Sequence, residues 1–566
     1  MIPMAERTAP PAPETPSTPG AEASAPAAPS AWSPLRQPVF RALWLGALAS
    51  NLGLWIQNAA GSWDMTSLSS APLHVALLQT ASSFPVFLVG LPAAAFGDIF
   101  DRRRLLIGFA TWMAFISAIL AALSFTNSLT PESLLALTFA LGLGAALSAP
   151  LWQALLPTLV DRAEVAPAIT LGGVAINIAR GLGPAIGGIG IALAGSAPVY
   201  AFNALAFGAV IFQVVRWKQE RPRPSLPPER VVGAIIAGLR FARRAPALQS
   251  VLLRAAAFIL AGSALWALLP VVARRELQLS PLRFGLLLGC IGVGALAGAA
   301  FLPRFRARLG VDRLVLTASI LYAGTMLVLA HVRSEPPLYL AMFATGVAWI
   351  AVLSSLNVAA ASAAPGWVQS RALGLYLLVF QGGQAAGSLA WGTLAGRAGT
   401  DVTLTLAAAI LLVGLLVGVR HRLAAVNKEH VQPVAAWTEP VLAHPVAIEA
   451  GPVLVQRRYL VRDENRAAFL RLARDLESHR RRDGAITWGL FEDLALPGTF
   501  LETFLVATWA EHLRQHQRVT AADGKIIDAI AEISRPEEVS HLLDAYAPAD
   551  AEMGEEHAHA DESHPH

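Results

Sequence analysis

The chain has 566 residues, of which 55% are hydrophobic and only 14% are charged, and its formal net charge at pH 7 is +4. Soluble domains typically carry about 25% charged residues, so this composition excludes an ordinary soluble protein and favours a polytopic membrane protein. The small net charge argues against nucleic acid as a partner. The single cysteine, Cys290, excludes an intramolecular disulfide and a cysteine-cluster metal site.

The two ends of the chain are polar and of biased composition. Residues 1–37 are rich in Pro, Ala, Ser, Thr and Glu and lack the apolar core of a cleavable signal peptide. Residues 546–566 are acidic and rich in histidine. Because neither segment has enough apolar surface to form a core, we expect both tails to be disordered.

Apolar runs recur between residues 38 and 420 and are separated by short polar breaks. Each run is roughly 20 residues long, which is what an α-helix needs to cross a hydrocarbon core of about 30 Å. The pattern predicts an all-α membrane region. Its twelve predicted spans are residues 40–65, 73–97, 104–126, 133–157, 167–195, 197–217, 250–273, 283–303, 311–332, 337–361, 370–396 and 401–420.

The distribution of arginines predicts the orientation of these spans. The breaks after the second, fourth, sixth and eighth spans carry Arg or Lys, whereas those after the first, third and fifth carry neither. Since cytoplasmic loops are enriched in Lys and Arg, we expect both termini to be cytoplasmic. Arg274, Arg275 and Arg283 are exceptions, because they fall on the predicted outer side.

The longest polar break, residues 218–249, is a predicted cytoplasmic linker between two halves of six spans. The N-terminal half comprises residues 38–217 and the C-terminal half residues 250–420. A second linker, residues 421–450, leads to a soluble domain at 451–545. Its pattern predicts a β-α-β-β-α order typical of a ferredoxin-like unit, with strands at 453–461, 485–492 and 500–508, and helices at 464–482 and from 511 onward.

Asp64 is the first candidate functional residue, because it lies near the predicted outer end of the first span. A charged group at the bilayer centre costs roughly 2.5–3.5 kcal/mol on insertion scales, so acids within spans tend to be functional. We expect Asp64 to exchange a proton. The alternative is a solvated carboxylate at the membrane interface.

Arg180 lies about midway along the fifth span, where a buried guanidinium needs an acid, backbone carbonyls or an anionic substrate as its partner. Asn177 lies three residues earlier and shares its helix face. Both are cavity candidates, and a structural tie to a neighbouring helix is the alternative.

Other polar and aromatic side chains in the spans are candidates for a transport pathway, with hydrogen bonding between helices or an interfacial belt as the alternative. The polar ones are Asn51, Gln57, Asn58, Gln153, Asn203, Asn357, Gln381 and Gln384, and the aromatic ones are Trp55, Trp63, Trp266 and Trp349.

Four stretches of the membrane region together resemble the major facilitator superfamily, and within it the bacterial transmembrane secretion effectors similar to enterobactin exporters. They are Phe40–Gly53, Gly97–Arg104, Gly183–Gly188 and Tyr376–Gly383. The resemblance implies a bacterial inner-membrane transporter with twelve helices in two six-helix halves. Two departures are that arginines replace the glycine that usually follows the Asp-Arg pair, and that the fourth span lacks the arginine of many drug/proton antiporters.

The resemblance also implies roles for two motifs. Gly97, Asp98, Asp101 and Arg102 match the segment that latches the cytoplasmic side in one conformation, and charges that merely set topology are the alternative. Gly183, Pro184, Gly187 and Gly188 match an antiporter-type motif; on physical grounds they predict a bend and close helix packing.

The soluble domain resembles the antibiotic-biosynthesis monooxygenase-like modules of this branch, on the stretch Thr508–His516. The resemblance implies self-association into a dimer. Its aromatic and imidazole side chains suggest a site for a small aromatic molecule, but no nucleophile–base spacing or metal motif supports catalysis. These side chains are Trp488, Trp509, His512 and His516.

Taken together, these features predict a secondary transporter that exports a hydrophobic or amphipathic molecule (a siderophore, an antibiotic or a drug-like compound) by alternating access. No nucleotide-binding loop is visible, so we expect protons to drive transport, without a cofactor or a metal. The alternatives are a membrane-tethered enzyme and a ligand sensor, each acting through the soluble domain.

Overall fold

The computed structural model describes residues 30, 32–99, 101–217, 231–423 and 446–544. The tail at 546–566, most of the tail at 1–37 and most of the linker at 421–450 lie outside the described residues.

Long helices form the membrane region, and several begin at residues suited to cap them. Thr130 and Ser133 form a capping box before the fourth helix, and Ser280 caps the ninth. The helices are α1 (Pro38–Leu68), α2 (Pro72–Ile99), α3 (Arg102–Phe125), α4 (Pro131–Leu155), α5 (Val165–Ala194), α6 (Ser196–Arg216), α7 (Val231–Arg244), α8 (Pro246–Val271), α9 (Pro281–His331), α10 (Glu335–Ser362), α11 (Gln369–Ala398), α12 (Thr400–Gly414) and α13 (Leu416–Arg420).

Ten of the helices in the described part of the chain are long and apolar enough to cross a membrane. One of them, α9, contains two predicted spans, because the backbone turns at Gly310, where φ is 72°. Helix α11 coincides with the predicted span 370–396 but is not among the ten, since its glutamines and glycines lower its hydropathy. Each of the twelve predicted spans thus falls on helical chain, and the predicted fold class is confirmed.

The helices pack in two groups that meet along two seams. In the first group α1 packs against α5 and α6, and α3 packs against α4 and α6; in the second, α8 packs against α11, and α9 against α10 and α12. Helix α2 of the first group lies against α11, and α5 lies against α9. The two groups therefore correspond to the predicted halves, and the space between the seams is where a central cavity forms.

The soluble domain is a four-stranded antiparallel sheet covered by helices, in the order β2-β3-β1-β4. Its elements are β1 (Val453–Val461), α14 (Arg466–Asp483), β2 (Thr487–Glu492), β3 (Thr499–Val506), α15 (Trp509–Gln517), α16 (Ala521–Ile533) and β4 (Ser534–Leu543). Helix α14 buries Phe469 and Leu476 against Tyr459 and Phe500. The ferredoxin-like arrangement is confirmed, but the prediction of helix alone from residue 511 onward was wrong, because β4 completes the sheet.

The soluble domain contacts the membrane region through α7. The Arg240 guanidinium on α7 lies 3.5 Å from the Glu511 carboxylate and donates to the Gly484 carbonyl at 3.2 Å. Arg518 stacks on Trp367, which lies in the turn between α10 and α11, with 4.4 Å from its guanidinium carbon to the ring centroid. The domain is therefore docked on the predicted cytoplasmic end of the C-terminal half.

Candidate transport cavity

A cavity of about 340 Å³ lies between the two halves. Its walls combine aromatic rings with amide side chains, which gives a site that is apolar in surface but rich in hydrogen-bonding groups. The aromatic lining residues are Trp55, Tyr200, Trp266, Phe284, Trp349 and Phe380, and the amide lining residues are Gln57, Asn58, Gln79, Gln381 and Gln384.

Arg180 is the one charged side chain among the described residues that line the cavity. Its guanidinium carbon lies 5.5 Å from the centroid of the Trp55 ring, a cation–π arrangement that fixes the group on the cavity wall. Within the described chain, no carboxylate forms an ion pair with Arg180. A positive charge thus faces a space of ligand size.

The aromatic lining from the C-terminal half is a packed cluster rather than a set of isolated rings. The Trp349 ring centroid lies 5.4 Å from that of Trp266 and 5.8 Å from that of Phe380. Pairs at these separations stabilise each other beyond their buried area. The cluster therefore presents a rigid surface on which a planar or apolar part of a ligand can lie.

Part of the amide lining is held by buried hydrogen bonds. The Asn203 amide donates to the Gln57 side-chain oxygen at 2.5 Å, and Ser117 donates to the same oxygen at 3.3 Å. All three side chains are buried. Gln384, on α11, is also buried, and its side-chain oxygen has no hydrogen-bond partner within the described structure. The Gln57 side-chain oxygen is thus held by hydrogen bonds within the protein, whereas the Gln384 side-chain oxygen can accept a hydrogen bond from a ligand.

Asp64 lies just behind the cavity wall, where two hydroxyl groups of α6 hold it. Ser196 donates to one carboxylate oxygen at 2.6 Å and Tyr200 to the other at 2.8 Å. Tyr200 is fully buried and also lines the cavity. Asp64 is therefore separated from the cavity by one hydroxyl group, and its exchange of a proton stays a prediction.

The predicted cavity residues divide into two groups. Arg180, Gln57, Asn58, Gln381 and Gln384 line the cavity, as do Trp55, Trp266 and Trp349. The other predicted residues are absent from the cavity lining, namely Asn51, Gln153, Asn177, Asn203, Asn357 and Trp63. Asn51 instead donates its amide to the Ala47 carbonyl of its own helix at 2.7 Å.

Sequence reasoning missed Tyr200, Gln79, Phe284 and Phe380 as lining residues. Two of them have features that the sequence shows. Gln79 is a polar residue within a predicted span, and Tyr200 follows Ser196 by four residues, so the two hydroxyl groups share one helix face. Nothing local connects Tyr200 to Asp64, which lies 136 positions earlier in the chain.

The glycine-rich stretch of α5 packs closely on α1 of its own half and on α9 of the other half. A Cβ atom on Gly183 would lie 2.6 Å from Trp55 Cβ on α1, and one on Gly187 would lie 3.0 Å from the Ile56 carbonyl oxygen. On the other side, a Cβ on Gly188 would overlap the backbone of Gly285 on α9. Helix α5 therefore approaches both halves closely, and Pro184 itself lines the cavity.

The predicted cytoplasmic latch motif is only partly described by the structure, because the surroundings of Gly97 and the side chain of Asp98 lie outside what it describes. Asp101 caps α3 by accepting the backbone N–H groups of Arg103 at 2.9 Å and Arg104 at 3.2 Å. Arg103 in turn donates to the carbonyls of Val214 and Val215 at the end of α6. These contacts lie within the N-terminal half, and the latching role of Asp101 and Arg102 remains a prediction.

The soluble domain contains a buried polar cluster behind its sheet. Glu502 accepts hydrogen bonds from Tyr459 at 2.8 Å, Trp488 at 3.0 Å and Arg480 at 3.2 Å. Burial alone would raise the pKa of Glu502, but the guanidinium groups of Arg480 and Arg457 hold it below its usual value. The carboxylate therefore stays charged as the central acceptor of the cluster.

Two of the predicted aromatic-site residues are histidines in contact. The His512 and His516 Nε2 atoms lie 3.1 Å apart, and burial lowers the pKa of His512 to about 3 and that of His516 to about 2. Both rings are therefore neutral near pH 7. Among the described residues, no group of three or more His, Cys, Asp or Glu side chains is arranged to hold a metal. The proposed aromatic-binding role stays a prediction.

Among the described residues, two helical halves enclose a central cavity that Arg180 lines and that the half-buried Asp64 adjoins through Tyr200, and this arrangement is that of a secondary transporter of the major facilitator fold. Residues 29–547 match the family model described as "Transmembrane secretion effector", so the chain belongs to that family. The membership places it among multi-pass membrane transporters rather than enzymes.

Individual relatives agree with this assignment. The chain is 23% identical over 284 residues to a staphyloferrin A transporter of Staphylococcus aureus (strain NCTC 8325 / PS 47), covering 49% of this chain and 70% of the relative. It is 26% identical over 327 residues to the enterobactin exporter EntS of Salmonella choleraesuis (strain SC-B67), covering 56% and 76%.

A solved structure supports the fold alone. The inward-facing, occupied bacterial homologue of the human lysosomal transporter Spinster is matched with a TM-score of 0.55 at 15% identity, over 69% of this chain and 97% of that chain.

Proposed function

We propose that this protein exports an anionic, siderophore-like small molecule across the bacterial inner membrane in exchange for protons, with both termini in the cytoplasm. The observation that carries the proposal is the cavity itself. It places the Arg180 guanidinium, with no carboxylate paired to it in the described structure, beside aromatic walls and amide groups. Such a site favours a ligand that combines negative charge with planar or apolar groups.

The chemistry of the relatives supports the same substrate class. Both relatives are named for the transport of siderophores, staphyloferrin A in one case and enterobactin in the other. A cationic drug would meet Arg180 with no acid in the described lining to compensate it. The cavity therefore favours an anionic siderophore over a cationic dye among the molecules that the sequence leaves open.

Proton coupling is assigned to Asp64. A carboxyl held by two hydroxyl groups inside a bundle can be charged in one conformation and protonated in another, and so can carry a proton across. Tyr200 connects it to the cavity, because the same side chain lines the cavity and donates to the carboxylate. Tyr200 would therefore contact both the substrate in the cavity and the carboxyl group that exchanges the proton.

The test is a transport assay in inside-out membrane vesicles that hold an established pH gradient. Siderophores, anionic antibiotics and cationic dyes are added separately, and the decay of the gradient is followed with a pH-sensitive fluorophore. We expect anionic siderophores to dissipate the gradient and cationic dyes of similar size to leave it unchanged, relative to vesicles without the protein. Dissipation by the cations alone would contradict the proposed substrate class.

Self-association through the soluble domain is a second proposal, with another copy of the chain as the partner. Helices α14, α15 and α16 pack against one face of the sheet. The opposite face presents Leu460, Phe491 and Leu542, which are 41%, 60% and 46% exposed. Antiparallel sheets bury such faces against a second layer.

We expect the detergent-solubilised full chain to be dimeric by light scattering and Phe491→Glu to be monomeric with unchanged helix content. A monomeric wild-type chain would overturn this second proposal.

A further inference from the structure

Arg274 and Arg275 are two of the three arginines that break the charge pattern of the predicted loops. They lie on the predicted outer side, where the pattern leads us to expect few basic residues. The structure places them in a wide helical turn, Val272–Glu276, that ends α8. Single turns of this kind are rare in proteins and are frequent at functional sites. Their contacts explain why both arginines are there.

Arg275 contacts the opposite half. Its guanidinium donates to the backbone carbonyls of Ser69, the C-cap residue of α1, and of Ser70, in the connection to α2. Backbone carbonyls outside a helix need hydrogen-bond partners, and a charged donor makes a stronger bond than a neutral one. A side chain from the C-terminal half thus binds the backbone that follows α1 in the N-terminal half.

Arg274 makes a second contact with the same helix. Its guanidinium carbon lies 4.4 Å from the centroid of the Trp63 ring, and its charge acts on the neighbouring Asp64 carboxylate. A cation over an indole face is attracted to it, more strongly where water is excluded. Two consecutive arginines therefore contact the last turns of α1 and the residues that directly follow it.

The turn that carries both arginines is fixed to its own half. Glu276 forms an ion pair with Arg333 at 2.5 Å and accepts the hydroxyl of Thr400. Both partners lie in the C-terminal half. When the halves move relative to each other, Arg274 and Arg275 must move with the C-terminal half, and their contacts with α1 must break.

We propose that Arg274 and Arg275 form an outer latch that keeps the cavity closed on the predicted outer side and that releases in every transport cycle. This inference rests on the proposed function in one respect, namely that the halves alternate in access. It assigns to the two arginines a positioning role, since neither lines the cavity.

The test measures access to the cavity from the outer side without using transport. In a Cys290→Ser background, Ser82→Cys places a reporter thiol on the cavity lining. A membrane-impermeant maleimide is added to intact cells, and the labelling rate is followed by mass spectrometry. We expect Arg275→Gln to raise this rate roughly tenfold, as the loss of a charge-assisted hydrogen bond implies, and Arg275→Lys to give an intermediate rate.

The matched control is Arg283→Gln, which removes an arginine at the same predicted side. Arg283 pairs with Glu335 at 2.5 Å within the C-terminal half, so its loss leaves the contacts between halves unchanged. Equal labelling rates for Arg275→Gln and Arg283→Gln would overturn the latch. Maleimide labelling needs neither substrate nor a proton gradient. The experiment can therefore contradict the latch without contradicting proton-coupled export, and a transport assay can contradict proton-coupled export without contradicting the latch.

Discussion

Replacement of Asp64 by asparagine is expected to abolish uphill export while exchange of substrate down its own gradient continues. An asparagine has nearly the same shape as an aspartate, and its side-chain oxygen still accepts a hydrogen bond from Ser196 or Tyr200, which hold the carboxylate at 2.6 and 2.8 Å. What is lost is the ability to carry a proton. The variant should therefore fold and bind substrate but no longer couple the two movements.

The size of this effect can be stated. Each pH unit across the membrane supplies about 1.4 kcal/mol per proton, a factor of ten in the concentration ratio of an exchanged substrate. With one proton per substrate, a gradient of two pH units lets the wild type build a ratio of roughly 100, whereas Asp64→Asn should reach about 1. The measurement is the steady-state accumulation of radiolabelled siderophore in inside-out vesicles, acidified inside.

Two further variants separate coupling from structure. Tyr200→Phe removes one hydrogen bond to Asp64 but leaves the carboxyl, so we expect it to retain accumulation at a lower rate. The exchange of labelled for unlabelled substrate across the membrane, measured without a pH gradient, shows whether the Asp64→Asn variant still alternates between its two conformations. If Asp64→Asn accumulated substrate as the wild type does, another group would have to carry the proton.

The second large effect is expected at Arg180. Arg180→Gln should raise the KM for an anionic siderophore roughly 10- to 100-fold, because hydrogen bonds between charged groups contribute about 1.5–3 kcal/mol. Glutamine retains a hydrogen-bond donor but neither the charge nor the stacking on Trp55. The KM of Arg180→Lys should lie between those of the wild type and Arg180→Gln, because lysine keeps the charge but lacks the planar, forked guanidinium.

A neutral substrate analogue makes this prediction specific. If Arg180 binds the negative charge of the substrate, a methyl-esterified analogue should be transported with similar KM by the wild type and by Arg180→Gln. A purely structural arginine would change both substrates equally, as the logic of a double-mutant cycle requires. Equal loss for the anion and its ester would therefore contradict a role in substrate binding.

In the soluble domain, three of the four strands can be recognised from the sequence and the fourth cannot. The first three strands are visible in the sequence because their apolar residues alternate or run together, as in Val453–Val461. The fourth, Ser534–Leu543, reads SRPEEVSHLL, with a proline and two consecutive acids. It lies at the edge of the sheet, where one neighbour, β1, supplies its hydrogen bonds. Edge strands tolerate charge and proline, so local pattern did not reveal it.

The sequence likewise does not show which amide side chains of the membrane region line the cavity. Asn51 and Asn58 both lie on α1 and look equivalent in the sequence, yet Asn58 lines the cavity whereas Asn51 bonds to its own helix. A helix that is apolar on every side carries no periodic signal of which face meets the cavity. Only the packing of its neighbours distinguishes the two.

The class of this protein can be predicted from its sequence: a polytopic helical transporter with its spans, a close-packing fifth helix and a soluble C-terminal domain. These features follow from the length of apolar runs, from glycine content and from charge distribution, all of which are local properties of the chain. The contacts proposed to act in transport follow only from the three-dimensional packing of the helices. Asp64 with Tyr200 and Arg275 with Ser70 join positions 136 and 205 residues apart. Such pairs depend on which helices are neighbours and on their rotation, which packing sets and apolar composition does not encode.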